Sequence, residues 1–234
     1  MGIFSGILCL ICFCLLSAKA ATAKLHFQRM DKILMKIHKP VSAFLIIMCP
    51  VHIYYVVPIL ENRSLLVPIS GIVITTFMIF LICLCHVIKG RKKILWHRIL
   101  AALMAIGIMG HLSAYLIDFS NYQKNIANIE INSINLENVE NGFYIGEYDV
   151  GYIYAKVEVE IKDSAIVSIN LLEHRNERGK HAEDIIDDII SEQKLDVDTI
   201  SGATNSSNVI KKAIEKAIIE GTQDLSKSKI GSHI

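Results

Sequence analysis

Apolar positions divide the chain into two halves with different periodicities. In the first half, residues 3–18, 41–60, 65–88 and 99–117 are apolar on every side. The last three runs each approach the ~20 residues that a helix needs to cross a bilayer; the first is shorter. Beyond residue 118 the pattern changes. Ile153, Ala155, Val157, Val159 and Ile161 alternate with Tyr154, Lys156, Glu158 and Glu160, which predicts a half-buried strand. Lys162-Asp163-Ser164 supplies a turn, and the run from Ala165 to Leu172 predicts a second strand, closing a hairpin. Ile185, Ile186, Ile189 and Ile190 recur among acidic residues over 181–193, the mark of an amphipathic helix. Val209, Ile210, Ala213, Ile214 and Ala217 predict another over 206–220, with Gly221 as its stop. Residues 119–141 are polar and rich in Asn, and read as a linker with at most a short initial strand. The expected architecture is an N-terminal α-helical membrane bundle of four transmembrane helices (1–118), the linker, a small α+β domain (142–221) and a polar tail (222–234).

Charge sharpens this division. The net charge of +1 conceals 12 Lys/Arg against 3 Asp/Glu in residues 1–118, and 12 against 20 in residues 119–234. The basic residues of the first half are grouped. Lys19, Lys24, Arg29, Lys32, Lys36 and Lys39 follow the first apolar run; Lys89, Arg91, Lys92, Lys93 and Arg98 precede the last. Only Glu61 and Arg63 mark the turn between the middle runs. The positive-inside rule puts both basic segments at the cytoplasmic face and everything after Asp118 on the other side. Ser17-Ala18-Lys19-Ala20 resembles a signal-peptide cleavage site, but no basic n-region precedes the run. Cleavage would also place residues 21–37 outside, so the first span is expected to be retained. Topology accounts for the basic residues, and nucleic-acid binding has no support.

All six cysteines (Cys9, Cys12, Cys14, Cys49, Cys83 and Cys85) lie in apolar runs of the first half. That excludes a disulfide framework for the second half and favours membrane-packing thiols over a zinc site.

Histidine changes the picture of the first half. His38 and His52 are 14 residues apart, and so are His97 and His111. Fourteen residues is just under four helical turns, placing each pair on one face about 21 Å apart. The second and fourth spans run in the same direction, so His38 is level with His97 and His52 with His111. Two facing imidazoles at each of two depths form a donor set for the axial positions of two b-type haems. The alternative is interfacial placement for His38 and His97 and interhelical hydrogen bonds for His52 and His111. Four ionisable groups matched in depth weigh against that alternative, because such groups are costly in a bilayer. Gly107 and Gly110, just before His111, leave room for a macrocycle. The spacing resembles that of ferric-reductase-like and other bis-haem cytochrome b membrane domains. His86 is unpaired in this scheme and reads as structural, with a place near a quinone or donor site as the alternative.

In the second half, Gly142-Phe143-Tyr144-Ile145-Gly146-Glu147-Tyr148, the strand from Tyr154 to Ile161, Leu172-Glu173-His174 and Asp198-Thr199-Ile200-Ser201-Gly202-Ala203-Thr204 occur in that order. Together they resemble the FMN-binding domain found in the C subunit of sodium-translocating NADH:quinone reductase and the G subunit of Rnf complexes. The likeness spans roughly residues 142–220. It implies that a flavin transferase joins FMN phosphate to Thr204. The residues support that role independently. Thr204 offers a hydroxyl, Gly202 permits a positive φ or close backbone approach, and the helix start at 205–207 offers unpaired N–H groups to a phosphate. Asp198 is a candidate for orienting the hydroxyl or binding the transferase's metal, and Ser201 and Ala203 complete the loop. Helix capping by Thr204 and Ser206 is the alternative. Glu173 and His174 are candidate flavin contacts, although Arg175-Asn176-Glu177 stands where the family carries a threonine.

The expected protein is therefore multi-pass in the cell membrane, with an extracytoplasmic FMN-binding domain. Electrons would pass from a quinol or cytoplasmic reductase, through two haems, to covalent FMN and on to an extracytoplasmic acceptor. A relay subunit of a larger redox complex and a flavin-based redox sensor are the alternatives. No side chain reads as a general acid, base or nucleophile, and no Gly-x-Gly-x-x-Gly follows a strand to hold a nicotinamide.

Overall fold

The computed structural model describes residues 1–176 and 178–231, with the side chains at 21, 23, 24 and 223–231 left aside. Glu177, in the loop noted above, and residues 232–234 of the expected polar tail lie outside the described residues. The chain forms two compact units, Met1–Leu116 and Ile117–Ile234.

The first unit is helical. Its elements are α1 (Gly2–Lys24), α2 (Gln28–Val56), α3 (Leu66–Val87) and the greater part of α4 (Gly90–Ala127). All four helices are long and apolar enough to cross a membrane by length and composition. Many of their large apolar side chains point outward: Ile47, Leu66, Ile72, Ile106 and Met109 are all exposed. Pro40 and Pro50 lie inside α2. Each deletes a backbone donor, a defect that apolar membrane helices accommodate through neighbouring helices and side-chain hydroxyls. Ser42 Oγ donates to the His38 carbonyl at 2.7 Å, one turn back and beside the first of these prolines.

In the second unit, three antiparallel strands lie in the order β1 (Gly142–Asp149), β2 (Tyr154–Lys162), β3 (Ala165–Arg175). Strand β2 is central, and its alternation is the one the sequence predicts: Ala155, Val157, Val159 and Ile161 are buried. The hairpin between β2 and β3 turns at Asp163 and Ser164, with φ of 52° and 59°. Positive φ at both central residues is the twist-compatible hairpin turn. Asn141 Oδ1 accepts from the Asp163 backbone N–H at 2.8 Å and helps hold that otherwise unfavourable conformation. A short 3₁₀ turn (Lys180–Asp184), α5 (Ile185–Glu192) and α6 (Thr204–Gly231) follow. Val209, Ile210, Ala213, Ile214 and Ala217 of α6 are fully buried in the core shared with β2.

Two sequence expectations change. Residues 119–127, placed in the linker, continue α4, and Tyr122 joins the core of the second unit. Gly221 does not stop α6, which runs on to Gly231. The reason for the glycine is packing: a methyl group there would lie 2.8 Å from Tyr144 Cε1 and 2.9 Å from Val139 Cγ1.

Candidate functional site

Thr204 is set up by the turn before it. Gln193 ends α5 in the left-handed conformation. Its side-chain amide pairs with both backbone groups of Ile166, each at 2.8 Å, and so anchors the following segment to β3. Leu195 and Val197 bury their side chains in the core, while Asp198 stays exposed. The chain then turns through Ser201 and Gly202. The Ala203 N–H donates to the Ile200 carbonyl at 2.9 Å, and Gly202 has φ +79°. These are the marks of a type II turn, whose third position favours glycine.

The turn delivers Thr204 as the first residue of α6, exposed to solvent. Ala203 occupies the cap position, since its carbonyl accepts the Ser207 N–H at 2.9 Å. Ser207 Oγ accepts from the Ile200 N–H at 3.2 Å and sits 3.1 Å from the Ala203 carbonyl, fastening turn to helix. Among the described residues the Thr204 hydroxyl has no hydrogen-bond partner, so capping does not occupy it. The N–H groups of Thr204, Asn205 and Ser206 are the unpaired donors of a helix start. Together with the exposed hydroxyl, they fit a phosphoester-linked anion.

Other elements converge on this helix start. Ser206 is buried against Gly179, where a methyl group would lie 2.1 Å from Ser206 Oγ. Gly179 in turn precedes the 3₁₀ turn whose Glu183 carboxylate lies 3.0 Å from His174 Nδ1. The His174 side chain is 3% exposed, and its Nε2 is buried with no hydrogen-bond partner among the described residues. A buried, unpartnered ring nitrogen is a fitting contact for a polar ligand group.

Glu173 behaves differently from its neighbour. It pairs across the sheet with Lys156, is exposed, and lies 3.0 Å from Arg175 Nε, so it faces away from His174. Beneath the loop, Lys211 is buried and donates to the Val197 carbonyl. Burial lowers its pKa, opposed by the nearby carboxylates of Asp196 and Asp198. Tyr122, Gly179 and Glu183 are contributors the sequence did not single out, and Asn205 adds a side-chain role to its expected N–H. Tyr122 is stacked on Tyr152, ring centroids 4.5 Å apart and 10° from parallel. An open cleft of about 120 Å³ beside this stack is lined by Asp118, Asn121, Asn125 and Gly151 among others.

In the first unit the histidines divide into two kinds. His38 and His97 are brought together, ring centroids 6.1 Å apart at 66°. His97 Nδ1 lies 3.6 Å from Cys85 Sγ. His52 Nδ1 is 3.0 Å from the Gly2 carbonyl and 3.3 Å from Ser5 Oγ; His111 Nδ1 is 2.8 Å from Ser70 Oγ. His86 Nδ1 lies 2.9 Å from the Ile82 carbonyl in its own helix, and the residue is exposed. Among the described residues no group of three or more His, Cys, Asp or Glu is arranged for a metal ion. Axial haem ligation asks for a different set, two imidazoles, because the macrocycle supplies the remaining donors.

Residues 151–219 match the family model of the FMN-binding domain. The matched range begins after β1 and runs through most of α6, taking in the turn at Gly202 and Thr204. No curated protein and no solved structure matches the chain.

Proposed function

We propose that this chain is a membrane electron-transfer protein whose FMN is held covalently on Thr204. The observation that carries the reading is the exposed, unengaged hydroxyl of Thr204 at the start of α6, within a region that matches the FMN-binding domain. Bound there, FMN supplies redox chemistry in steps of one or two electrons. Thr204 Oγ1 is the tether atom for a separate flavin transferase. The free N–H groups of Thr204, Asn205 and Ser206, at the positive end of the α6 dipole, take the phosphate charge. Ser201, Gly202 and Ala203 form the turn that presents the hydroxyl. His174 Nε2 is the buried polar contact, held in place by Glu183. Asp198, exposed six residues earlier, is available to the transferase.

The four apolar helices support insertion in a membrane. The basic residues of 19–39 and 89–98 support a cytoplasmic position for the α1–α2 and α3–α4 connections, with the flavin domain on the opposite side. His38 with His97, and His52 with His111, are the candidate axial ligands of two b haems, which would supply one-electron carriers within the membrane. The 6.1 Å approach of His38 and His97 supports the first pair. The donor is a quinol or a cytoplasmic reductase, and the acceptor lies outside.

The test is covalent flavin on the full chain, produced together with a flavin transferase. Wild type should carry flavin fluorescence through denaturing electrophoresis, and Thr204→Ala should lose it while still inserting in the membrane. Fluorescence retained by Thr204→Ala would refute the tether. A reduced-minus-oxidised spectrum of the same wild-type protein tests the haems, with two b haems per chain expected.

A further inference from the structure

The membrane unit repeats itself. A Ser-Gly pair on α1, Ser5-Gly6, precedes two histidines on α2; a second pair on α3, Ser70-Gly71, precedes two histidines on α4. In both halves the pair meets the histidine that lies further along the next helix. Ser5 Oγ is 3.3 Å from His52 Nδ1, and a methyl group on Gly6 would lie 3.0 Å from His52 Cε1. Ser70 Oγ is 2.8 Å from His111 Nδ1, and a methyl group on Gly71 would lie 3.5 Å from His111 Cε1. Hydroxyl and bare backbone thus form one seat for an imidazole, used twice.

The seat determines which ring nitrogen carries the proton. A carbonyl only accepts, so the 3.0 Å contact between His52 Nδ1 and the Gly2 carbonyl requires an N–H at Nδ1. The same conclusion follows for His111 by a different route. Ser70 Oγ carries a single proton, and the oxygen lies 2.7 Å from the Leu66 carbonyl and 2.9 Å from the Val67 carbonyl. With that proton donated to the Leu66 carbonyl, the hydroxyl offers a lone pair to His111 Nδ1, which then carries the N–H. A neutral imidazole with its proton on Nδ1 leaves its lone pair on Nε2, the atom able to ligate a metal. Neither Nε2 has a hydrogen-bond partner among the described residues. His86, whose Nδ1 bonds back to Ile82 in its own helix, lacks a partner helix of this kind.

We propose that Ser5-Gly6 and Ser70-Gly71 are positioning pairs that fix the tautomer and ring orientation of His52 and His111, so that both Nε2 atoms serve a single haem iron. The inference rests on the haem reading above and assigns the residues behind its second ligand pair. A hydrogen bond at Nδ1 raises the basicity of a ligating imidazole and stabilises the oxidised iron; its loss weakens binding and raises the midpoint potential.

The test uses the full chain, purified in detergent from a host that makes and inserts haem, with haem stoichiometry, low-temperature EPR and a redox titration. His111→Ala and His97→Ala first assign the two haem signals. Ser70→Ala should then weaken retention of the His111 haem by about 10–100-fold and raise its midpoint potential. The haem assigned to His97 should remain as an internal control, and Ser70→Thr, which keeps the hydroxyl, should restore the other. Two haems in wild type with an unchanged Ser70→Ala would overturn the positioning role and leave the haem reading standing. Equal loss of both haems in Ser70→Ala and Ser70→Thr would assign Ser70 to packing and overturn it too. No haem in wild type would remove the haem reading and this inference together.

Discussion

The Asn205 side-chain amide donates to Tyr122 Oη at 3.0 Å, tying the last turns of α4 to the residue that follows Thr204. Tyr122 is 9% exposed and stacks on Tyr152. The end of a long apolar helix is thereby part of the flavin domain's own core. Tyr122→Ala removes the stacked ring and the hydroxyl together. It should destabilise the second unit by about 3–5 kcal/mol, the range for deleting a buried aromatic ring. Tyr122→Phe, which keeps the ring and loses the bond to Asn205, should cost about 1 kcal/mol. Thermal unfolding of the purified chain measures both, and equal effects would mean that the ring contributes nothing.

What the sequence made legible follows from the strength of each local signal. The β2–β3 hairpin was readable because Ala155, Val157, Val159 and Ile161 alternate strictly and Asp163-Ser164 favours a turn. The start of α6 at Thr204 was readable because Gly202, a turn residue, precedes the apolar stripe of that helix. Tyr122 was not. In residues 119–127 only Phe119, Tyr122, Ile126 and Ala127 interrupt a polar run, too few to raise a helical period above an Asn-rich background. The Ser5–His52 and Ser70–His111 contacts join residues 47 and 41 positions apart, and only the packing of neighbouring helices reveals them.

Gly179 and Ser206 give a paired test of the site's support. A methyl group at Gly179 would lie 2.1 Å from Ser206 Oγ and 2.7 Å from Ser206 Cβ. Gly179→Ala should therefore destabilise the domain by about 1–3 kcal/mol through overpacking, and lower the yield of covalent flavin by displacing the α6 start. Ser206→Gly removes both obstructing atoms. In a double-mutant cycle the two changes should couple favourably by about 0.5–3 kcal/mol; strict additivity would show that the contact is absent in solution.

Tyr154 carries a pH dependence with a definite sign. Its hydroxyl donates to Glu147 Oε2 at 2.7 Å, and Arg175 lies over its ring at 4.3 Å. The hydrogen bond to Glu147, with burial and the carboxylates of Glu147 and Glu173, pushes its pKa up to about 12 against the opposing pull of Arg175. Because the folded value is raised, the stability from this contact is fully present below the ordinary tyrosine pKa of about 10. It is lost as pH rises through about 12. An ultraviolet titration of wild type minus Tyr154→Phe should show the missing phenol ionising near the upper value, and Glu147→Gln should bring it down. Ionisation of that phenol near its ordinary value in wild type would exclude the bond.

Gly221 separates two roles that a glycine near a helix end can have. As a helix stop, it would tolerate replacement only where φ is not positive. As an interior residue of α6, it would gain about 1 kcal/mol from alanine's helix propensity if space allowed. Space does not allow it: the added methyl would meet Tyr144 Cε1 and Cζ, both at 2.8 Å, and Val139 Cγ1 at 2.9 Å. Tyr144 Oη donates to the Glu140 carbonyl at 2.9 Å, which resists movement of the ring. Overpacking of about 1–3 kcal/mol should outweigh the propensity gain, so Gly221→Ala should lower the melting temperature. Adding Tyr144→Ala should reduce that penalty, since the obstructing ring is then gone. A Gly221→Ala variant more stable than wild type would mean that α6 does not pack against Tyr144 at this point, and that the close approach of helix and β1 ends before Gly221.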